Sequence, residues 1–340
     1  MNSAKHILSA AAALALTCTG VNAENSSTAY NFLDIPTSSH VFGLGGNNIA
    51  IIDDDVTLAD QNPALIGPEL DKQVAFNYMH YMGSGNFVGL RYGMGADEHS
   101  GWAVGLRYLN YGKFDGYDEF GTPTGEFTPS DLVIEGSYSR DISGRWRGGV
   151  NLKVAYSSYE QYKAWAIAAD LGVNYYDDEN DLSLSFVLKN MGGQVKRFTD
   201  RYNRLPFDIQ IGYMQSIGTS PFQVSITANN LTKWKIPYYE YTEEGEDRFE
   251  VKDGFITNLF RHLIFGLQYQ PSEKFYACLA YNYKTRTDMT SHNQSFLSGF
   301  SVGAGFRTRG FSIGAAFAQP HKSASSIMLN LECSIGELMK

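Results

Sequence analysis

The sequence predicts an all-β fold: a 14-stranded antiparallel transmembrane β-barrel, with an N-terminal hatch or plug segment in the lumen. Three observations lead there. From Lys72 onward, stretches of about ten residues alternate apolar with polar or small side chains, the period that puts each set on one face of a strand. There are fourteen of these, near 72–82, 85–95, 101–111, 130–140, 146–157, 163–175, 181–190, 206–217, 221–230, 261–270, 274–285, 296–307, 310–319 and 326–336. An even number is usual in bacterial outer-membrane barrels. The connections also sort by parity: the even-numbered ones are short (GADEHS, ISGRW, DDEND, IGTSP, PSEK, RTRG), and every long one is odd-numbered, near 112–129, 191–205, 231–260 and 286–295. A soluble sandwich has no reason to sort its loops this way, whereas short periplasmic turns and long outer loops do so in a barrel.

The chain opens on a leader at 1–23: Lys5 and His6 make a basic start, residues 7–16 are mostly apolar, and Val21-Asn22-Ala23 offers small residues at a cleavage site. The expected mature chain starts at Glu24, with a hatch at 24–71 and the barrel at 72–340. After the leader there is no apolar run of the roughly 18 residues a membrane helix needs. Mean hydropathy is −0.26, as expected when alternation hides the apolar face. Aromatic residues gather near strand ends (Tyr78, Tyr81, Tyr108, Tyr111, Tyr156, Tyr159), where a girdle at the membrane interface belongs. The net charge is −9, and −10 without the leader, which holds one lysine and no acid; this argues against nucleic acid as a partner.

The hatch is the least repetitive part of the chain. DDDVTLADQNPALIG (53–67) carries Asp53, Asp54, Asp55 and Asp60, then turns at Asn62-Pro63-Ala64. Asn caps free backbone N–H groups and Pro suits the first helical position, so a single helical turn is expected before Gly67-Pro68. An EF-hand would need a glycine at its sixth position and a closing glutamate, and this stretch has neither. The aspartates are instead expected to meet arginines of the lumen, namely Arg91, Arg107 and Arg307.

With the apolar face of each strand against lipid, parity sends Arg91, Arg107, Lys153, Lys189 and Arg307 into the lumen, together with Glu135, Asp170, Asp208 and Glu332. Mixed signs suit an internal ion-pair network better than a selective ring. Cys278 falls on the luminal face and Cys333 on the outer one, so no disulfide is expected.

The loop at 231–260 stands apart. Trp234, Tyr238, Tyr239, Tyr241 and Phe249 are interleaved with acids, a composition that suits either a docking surface or a lid folded over the barrel mouth. Sites for chemistry are poor. Gly43-Leu44-Gly45-Gly46 lacks the Gly-Lys-Ser/Thr of a phosphate loop, and the Ser/His/Asn cluster around His292 lies in a loop. His262 reads as a hydrogen-bonded structural histidine. No catalytic, cofactor or metal site is expected.

A hatch ending in Asn-Pro-Ala before fourteen strands resembles the FadL family of outer-membrane transporters. More specifically, FLDIPTSSHVFGLGGNNIAIIDDDVTLADQNPAL, LRYLNYGKFDGYDEFGTPTGEF, LKVAYSSYEQY, VLKNMGGQVK and LPFDIQIGY resemble the PorV/PorQ group of the Bacteroidetes type IX secretion system. That resemblance implies a non-enzymatic integral outer-membrane barrel with both termini periplasmic. Its implied role is to anchor a surface partner, PorZ, and through it PorU and PorV, in the complex that processes cargo and joins it to lipopolysaccharide. The rival reading is a FadL-like transporter of small hydrophobic molecules. A continuous apolar tunnel would favour the rival, and a filled, mixed-charge lumen the anchor.

Overall fold

Period-two alternation becomes a strand at each of the fourteen expected stretches. The structure is a computed structural model; it describes residues 28–118, 120–241, 249–288 and 296–338, with the backbone alone at 239–241 and 249–250. The leader and the start of the mature chain lie outside the described residues. The strands are β1 (Gln73–Tyr81), β2 (Gly85–Asp97), β3 (Ser100–Asn110), β4 (Phe114–Tyr117), β5 (Pro123–Phe127), β6 (Ser130–Ser143), β7 (Trp146–Tyr159), β8 (Tyr162–Asp177) and β9 (Leu182–Lys196). They continue as β10 (Asp208–Ser216), β11 (Phe222–Ala228), β12 (Tyr238–Tyr241), β13 (Phe249–Lys252), β14 (Leu263–Ser272), β15 (Phe275–Asn282), β16 (Phe300–Thr308), β17 (Phe311–His321) and β18 (Ala324–Ser334).

Fourteen of these form one closed barrel, each strand beside its neighbours in sequence, and β1 closes the ring on β18 through pairs running from Gln73↔Ser334 to His80↔Ile327. Closure leaves no unpaired edge, which a sheet in lipid cannot carry. The other four strands pair as the hairpins β4–β5 and β12–β13 inside the two longest loops. With four or five residues each, they are too short for a search tuned to membrane crossings. The β4–β5 turn is held by the Asp118 carboxylate, which accepts from the Phe120 and Thr122 amides at 2.9 and 2.8 Å.

Three strand edges differ from expectation, two because helices replace them and one because a turn at 296–299 does. A helix at Phe255–His262 delays β14 to Leu263, a second at Tyr283–Asp288 ends β15 at Asn282, and β16 begins at Phe300. The wall is also uneven. Strands β6 to β9 run 14, 14, 16 and 15 residues, whereas β11, β15 and β16 run 7, 8 and 9.

Alternation sorts the two faces as parity requires. On β3, Val104, Leu106 and Tyr108 are exposed while Ala103 and Arg107 are buried; on β18, Ile327, Leu329 and Leu331 are exposed while Met328 and Asn330 are buried. An apolar outer face around a closed ring is stable in lipid and not in water. Outward aromatic pairs on adjacent strands brace it, among them Tyr156–Trp165 at 4.7 Å and Tyr281–Phe300 at 4.8 Å between ring centroids.

The buried core is the inside of the ring, and residues 28–71 supply much of it: Leu33, Val41, Leu44, Ile49, Val56 and Leu58 are fully enclosed. This segment has short helical turns rather than strands, at Asn31–Asp34, Ser39–Gly43, Val56–Asp60, Pro63–Leu65 and Pro68–Leu70. It begins at the long-loop end, where the Ala29 amide donates to the Arg204 carbonyl at 3.0 Å, and finishes beside β1 at the short-turn end. The last described residues also lie at that end, where the Ile335 amide donates to the Lys72 carbonyl at 3.0 Å. Thr28 and the last described residues therefore sit at opposite ends, and the segment crosses the length of the lumen before the first strand starts.

Glycine lets the segment lie against the wall. A Cβ on Gly149 of β7 would come within 2.6 Å of the Ala64 amide nitrogen, which is backbone and cannot swing aside. Gly149→Val is expected to destabilise the protein by about 1–3 kcal/mol, the usual cost of overpacking. It should also open residues 28–71 to chymotrypsin, as read by limited digestion of the refolded barrel; full protection would overturn this account of the contact.

Candidate functional site

The candidate site is the lumen, where residues 28–71 meet the wall. Those residues contain seven acids (Asp34, Asp53, Asp54, Asp55, Asp60, Glu69, Asp71) and no lysine or arginine. The wall answers with inward cations. Burying a charge is tolerable only when it is paired and hydrogen-bonded, so the pairing pattern decides what the lumen can do.

The central cluster is built on Glu135 of β6. Its carboxylate takes Arg91 Nη2 on one oxygen and Arg107 Nη2 on the other, at 3.2 Å in the second case. Asn151 Nδ2 donates to the same carboxylate at 3.3 Å and to Asp170 at 3.2 Å, linking it to the next pair, Lys153 Nζ–Asp170 Oδ2 at 2.6 Å. Arg107 Nη1 reaches the segment itself: the Leu33 and Ile35 carbonyls accept at 3.4 and 3.3 Å, and Asp60 lies at 3.7 Å. Lys153 also donates to Asn190 Oδ1 at 3.0 Å, and Asn190 Nδ2 donates to Asp34 at 2.9 Å. Asn190 can bridge because it sits at a positive φ of 56°, beside a register shift between β8 and β9. Burial pushes the Asp34 carboxyl up against the pull of Lys189 and Lys153. Asp208, paired in register with Lys189, accepts instead from Gln210 Nε2 and the Asn230 amide, both at 2.9 Å.

A second cluster lies nearer the short turns. Asp53 accepts from Arg307 Nη2, and its other oxygen is 2.9 Å from His40 Nδ1. The His40 ring stacks on Tyr276 at 3.6 Å, and its Nε2 is 2.7 Å from Gln268 Oε1. Burial works against the Asp53 carboxylate, but the His40 hydrogen bond and the Arg307 charge outweigh it and hold this carboxyl well below the usual range. Asp54 is exposed, 3.5 Å from Arg307 Nη1. Asp55 turns inward to take the Ser38 hydroxyl at 2.8 Å and the Thr57 amide at 2.7 Å, and burial pushes its carboxyl up. Asp53 and Asp54 thus share Arg307, while Asp55 turns away to Ser38 and Thr57.

The structure brings Arg107 and Arg307 onto segment aspartates but commits Arg91 to Glu135 and Ser137. Glu332 is buried on the inner face of β18, with Oε2 unpartnered among the described residues. Asn62 caps the Pro63–Leu65 turn, with Oδ1 accepting from the Ala64 amide at 2.9 Å and Nδ2 donating to the Ile49 carbonyl and Ser185 Oγ at 3.0 and 3.1 Å; Pro63 and Ala64 are buried. Asp34, His40 and Asn190 are functional contacts that sequence reasoning missed. The lack of any basic residue in 28–71 was a readable signal for Asp34, but nothing pointed to Asn190, whose role depends on the register shift.

In the loop expected to bind a partner, Trp234 stacks on His262 at 5.1 Å and meets Phe255 in a tilted pair at 5.3 Å, and Arg261 sits 5.1 Å over Tyr238. The side chains of Tyr239, Tyr241 and Phe249, and all of His292, lie outside the described residues. His262 is buried, its ring nitrogens against the Asn229 and Trp234 carbonyls at 2.8 and 3.0 Å. Cys278 and Cys333 are both free.

Two cavities flank the segment and share no lining residue. One of about 810 Å³ opens among the long loops over Asp34, Ile35, Phe42 and Asn47. The other, about 430 Å³, lies among the short turns beside Ile52, Asp181, Gln223 and Glu273.

This ring, with apolar residues outside, ion pairs inside and long loops at one end, is the fold of FadL-like outer-membrane barrels. The toluene transporter TodX of Pseudomonas putida superposes with a TM-score of 0.52 at 11% identity, over 88% of this chain and 97% of that one. A FadL homologue of Pseudomonas aeruginosa gives 0.51 at 10%, over 88% and 98%, and the monoaromatic hydrocarbon channel CymD 0.51 at 12%, over 89% and 98%. No family model matches the sequence, and no curated protein is similar to it in sequence.

Two substitutions probe the clusters. Glu135→Gln leaves two buried guanidinium groups short of a counter-charge and should cost about 3–5 kcal/mol in urea unfolding from lipid vesicles. Asp53→Asn should cost about 1.5–3 kcal/mol at neutral pH. Because the folded pKa of Asp53 is depressed, that contribution is complete above the ordinary carboxylate value of about 3.9 and disappears as pH falls below it. Asp55→Asn should do the reverse. Its folded pKa is raised, so the variant gains stability at neutral pH and the gain closes on acidification. Parallel pH profiles for the two variants would contradict the assignment.

Proposed function

We propose that the protein is a non-enzymatic, plugged outer-membrane barrel that anchors a surface partner in a type IX secretion attachment complex. The observation that carries this reading is the lumen: residues 28–71 fill it, buried ion pairs of both signs line it, and the cavities on its two sides share no lining residue. A conduit for apolar molecules needs a continuous apolar lining. An anchor needs a rigid body and outer loops.

The loops suit that role. The β4–β5 hairpin holds out Phe114, Tyr117 and Phe120 among acids, with Phe120 91% exposed. Exposed aromatics among charges are typical of docking surfaces. The resemblance to the PorV/PorQ group supplies the partner: a PorZ-like surface protein, and through it PorU and PorV, in a complex that processes cargo and joins it to lipopolysaccharide. The long-loop end then faces outward and the short turns the periplasm, with a leader cleaved near Ala23 and residues 24–71 acting as the hatch.

The transporter reading has one observation in its favour, the fold shared with TodX and CymD, which are described as channels for toluene and monoaromatic hydrocarbons. Two measurements separate the readings. Deleting residues 234–253 should leave the barrel in the membrane but abolish co-purification of the partner from detergent extracts; unchanged co-purification would sink the loop assignment. In planar bilayers the intact protein should show no steady conductance, and deletion of residues 28–71 should open one. Uptake of toluene by cells carrying the intact protein would favour transport.

A further inference from the structure

The helix Phe255–His262 is inside out. It buries Asn258, Arg261 and His262, while Phe255 and Ile256 are 67% and 69% exposed and Phe260 43%. A helix at a water boundary does the opposite. The buried polar face is bonded at several points: Asn258 Oδ1 accepts from the Ile236 amide at 2.8 Å, its Nδ2 donates to the Asp253 carbonyl at 2.7 Å, and Arg261 pairs with Asp288 through Nη2, its Nε being without a partner among the described residues. The apolar face is therefore held outward by specific bonds on the other side.

What that face meets is given by its neighbours. The Phe260 ring lies 6.1 Å from Phe265, which shares the outward face of β14 with Leu267 and Tyr269. It also lies 6.3 Å from Tyr283. The exposed helix face is thus continuous with the lipid-facing wall.

Wall height gives an independent reason. At a spacing of about 3.3 Å per residue and a tilt of about 40°, β11, β15 and β16 rise only about 18–23 Å, short of the about 25 Å apolar band of such barrels. A helix about 10 Å across, lying at the long-loop end of β14, makes up the deficit. Further round the ring, where β8 and β9 are 16 and 15 residues long, the strands alone exceed the band.

We propose that Phe255–His262 lies in the outer leaflet with Phe255, Ile256 and Phe260 against lipid acyl chains, completing the apolar belt where the wall is lowest. The proposal rests on membrane insertion of the barrel and is independent of the partner assigned above. Trp234, between His262 and Phe255, then marks the level of the lipid headgroups, and the β12–β13 hairpin begins at the bilayer surface.

The test uses residues 24–340 carrying Cys278→Ala and Cys333→Ala, refolded into phosphatidylcholine vesicles, with an environment-sensitive fluorophore on Ile256→Cys. Leu267→Cys serves as the lipid-facing control and Phe120→Cys as the water-facing one. At 256, quenching by brominated acyl chains close to that at 267, and several-fold weaker iodide quenching than at 120, is expected. A second measurement uses Phe255, Ile256 and Phe260 all changed to Gln: this variant should refold like the parent in short-chain vesicles and several-fold less well in long-chain ones. Iodide quenching at 256 equal to that at 120, or equal refolding of variant and parent in both bilayers, would overturn the proposal and leave the face free for a protein.

Discussion

Everything inside this barrel depends on one electrostatic match, an acidic segment without a single lysine or arginine lying against a wall that turns cations inward. Asp53 against Arg307, Asp60 against Arg107, Asp34 beside Asn190 and Lys153, and Glu69 against Arg147 are four points of that match, spread along the lumen. None is worth much as an isolated pair in water. The enclosed one, Asp60 against Arg107, is costly to break, because the partner left behind is a buried charge, whereas Glu69 against Arg147 lies at the surface. Glu135, which takes two arginines at once, offsets Arg91 and shares Arg107 with the segment.

The same match bears on function. The lumen holds buried ion pairs of both signs, Glu135 with Arg91 and Arg107 and Lys153 with Asp170, beside apolar clusters to which residues 28–71 contribute. Fold likeness to hydrocarbon channels at 10–12% identity speaks to the scaffold.

Much of the wall was legible in the sequence because a barrel strand repeats every two residues, so Arg107 between Leu106 and Tyr108 declares its face at once. The segment was not legible in the same way. Its short turns at Ser39–Gly43 and Pro63–Leu65 have no period long enough to read, and its contacts, such as Asn62 to Ser185, span more than a hundred residues. Composition showed its charge but not its registration, which is why Arg91 was assigned to the aspartates and is found on Glu135. The inverted helix escaped for another reason. Phe255, Ile256 and Phe260 lie at the end of the loop whose aromatics suited a docking surface or a lid, and β14 begins at Leu263, three residues after Phe260.

The path of residues 28–71 also constrains the order of assembly. The segment runs from the long-loop end to the short-turn end and leads into β1, and β1 with β18 is the one seam that joins the two ends of the strand series. Chain packed along the axis by buried backbone contacts is shut in when that seam zips. The pairing that closes the ring is also the one that seals the interior, with the acids of the segment inside as counter-charges to the enclosed arginines and lysines. On this path the barrel is wrapped around its filling, much as a mould closes on a core already set in place.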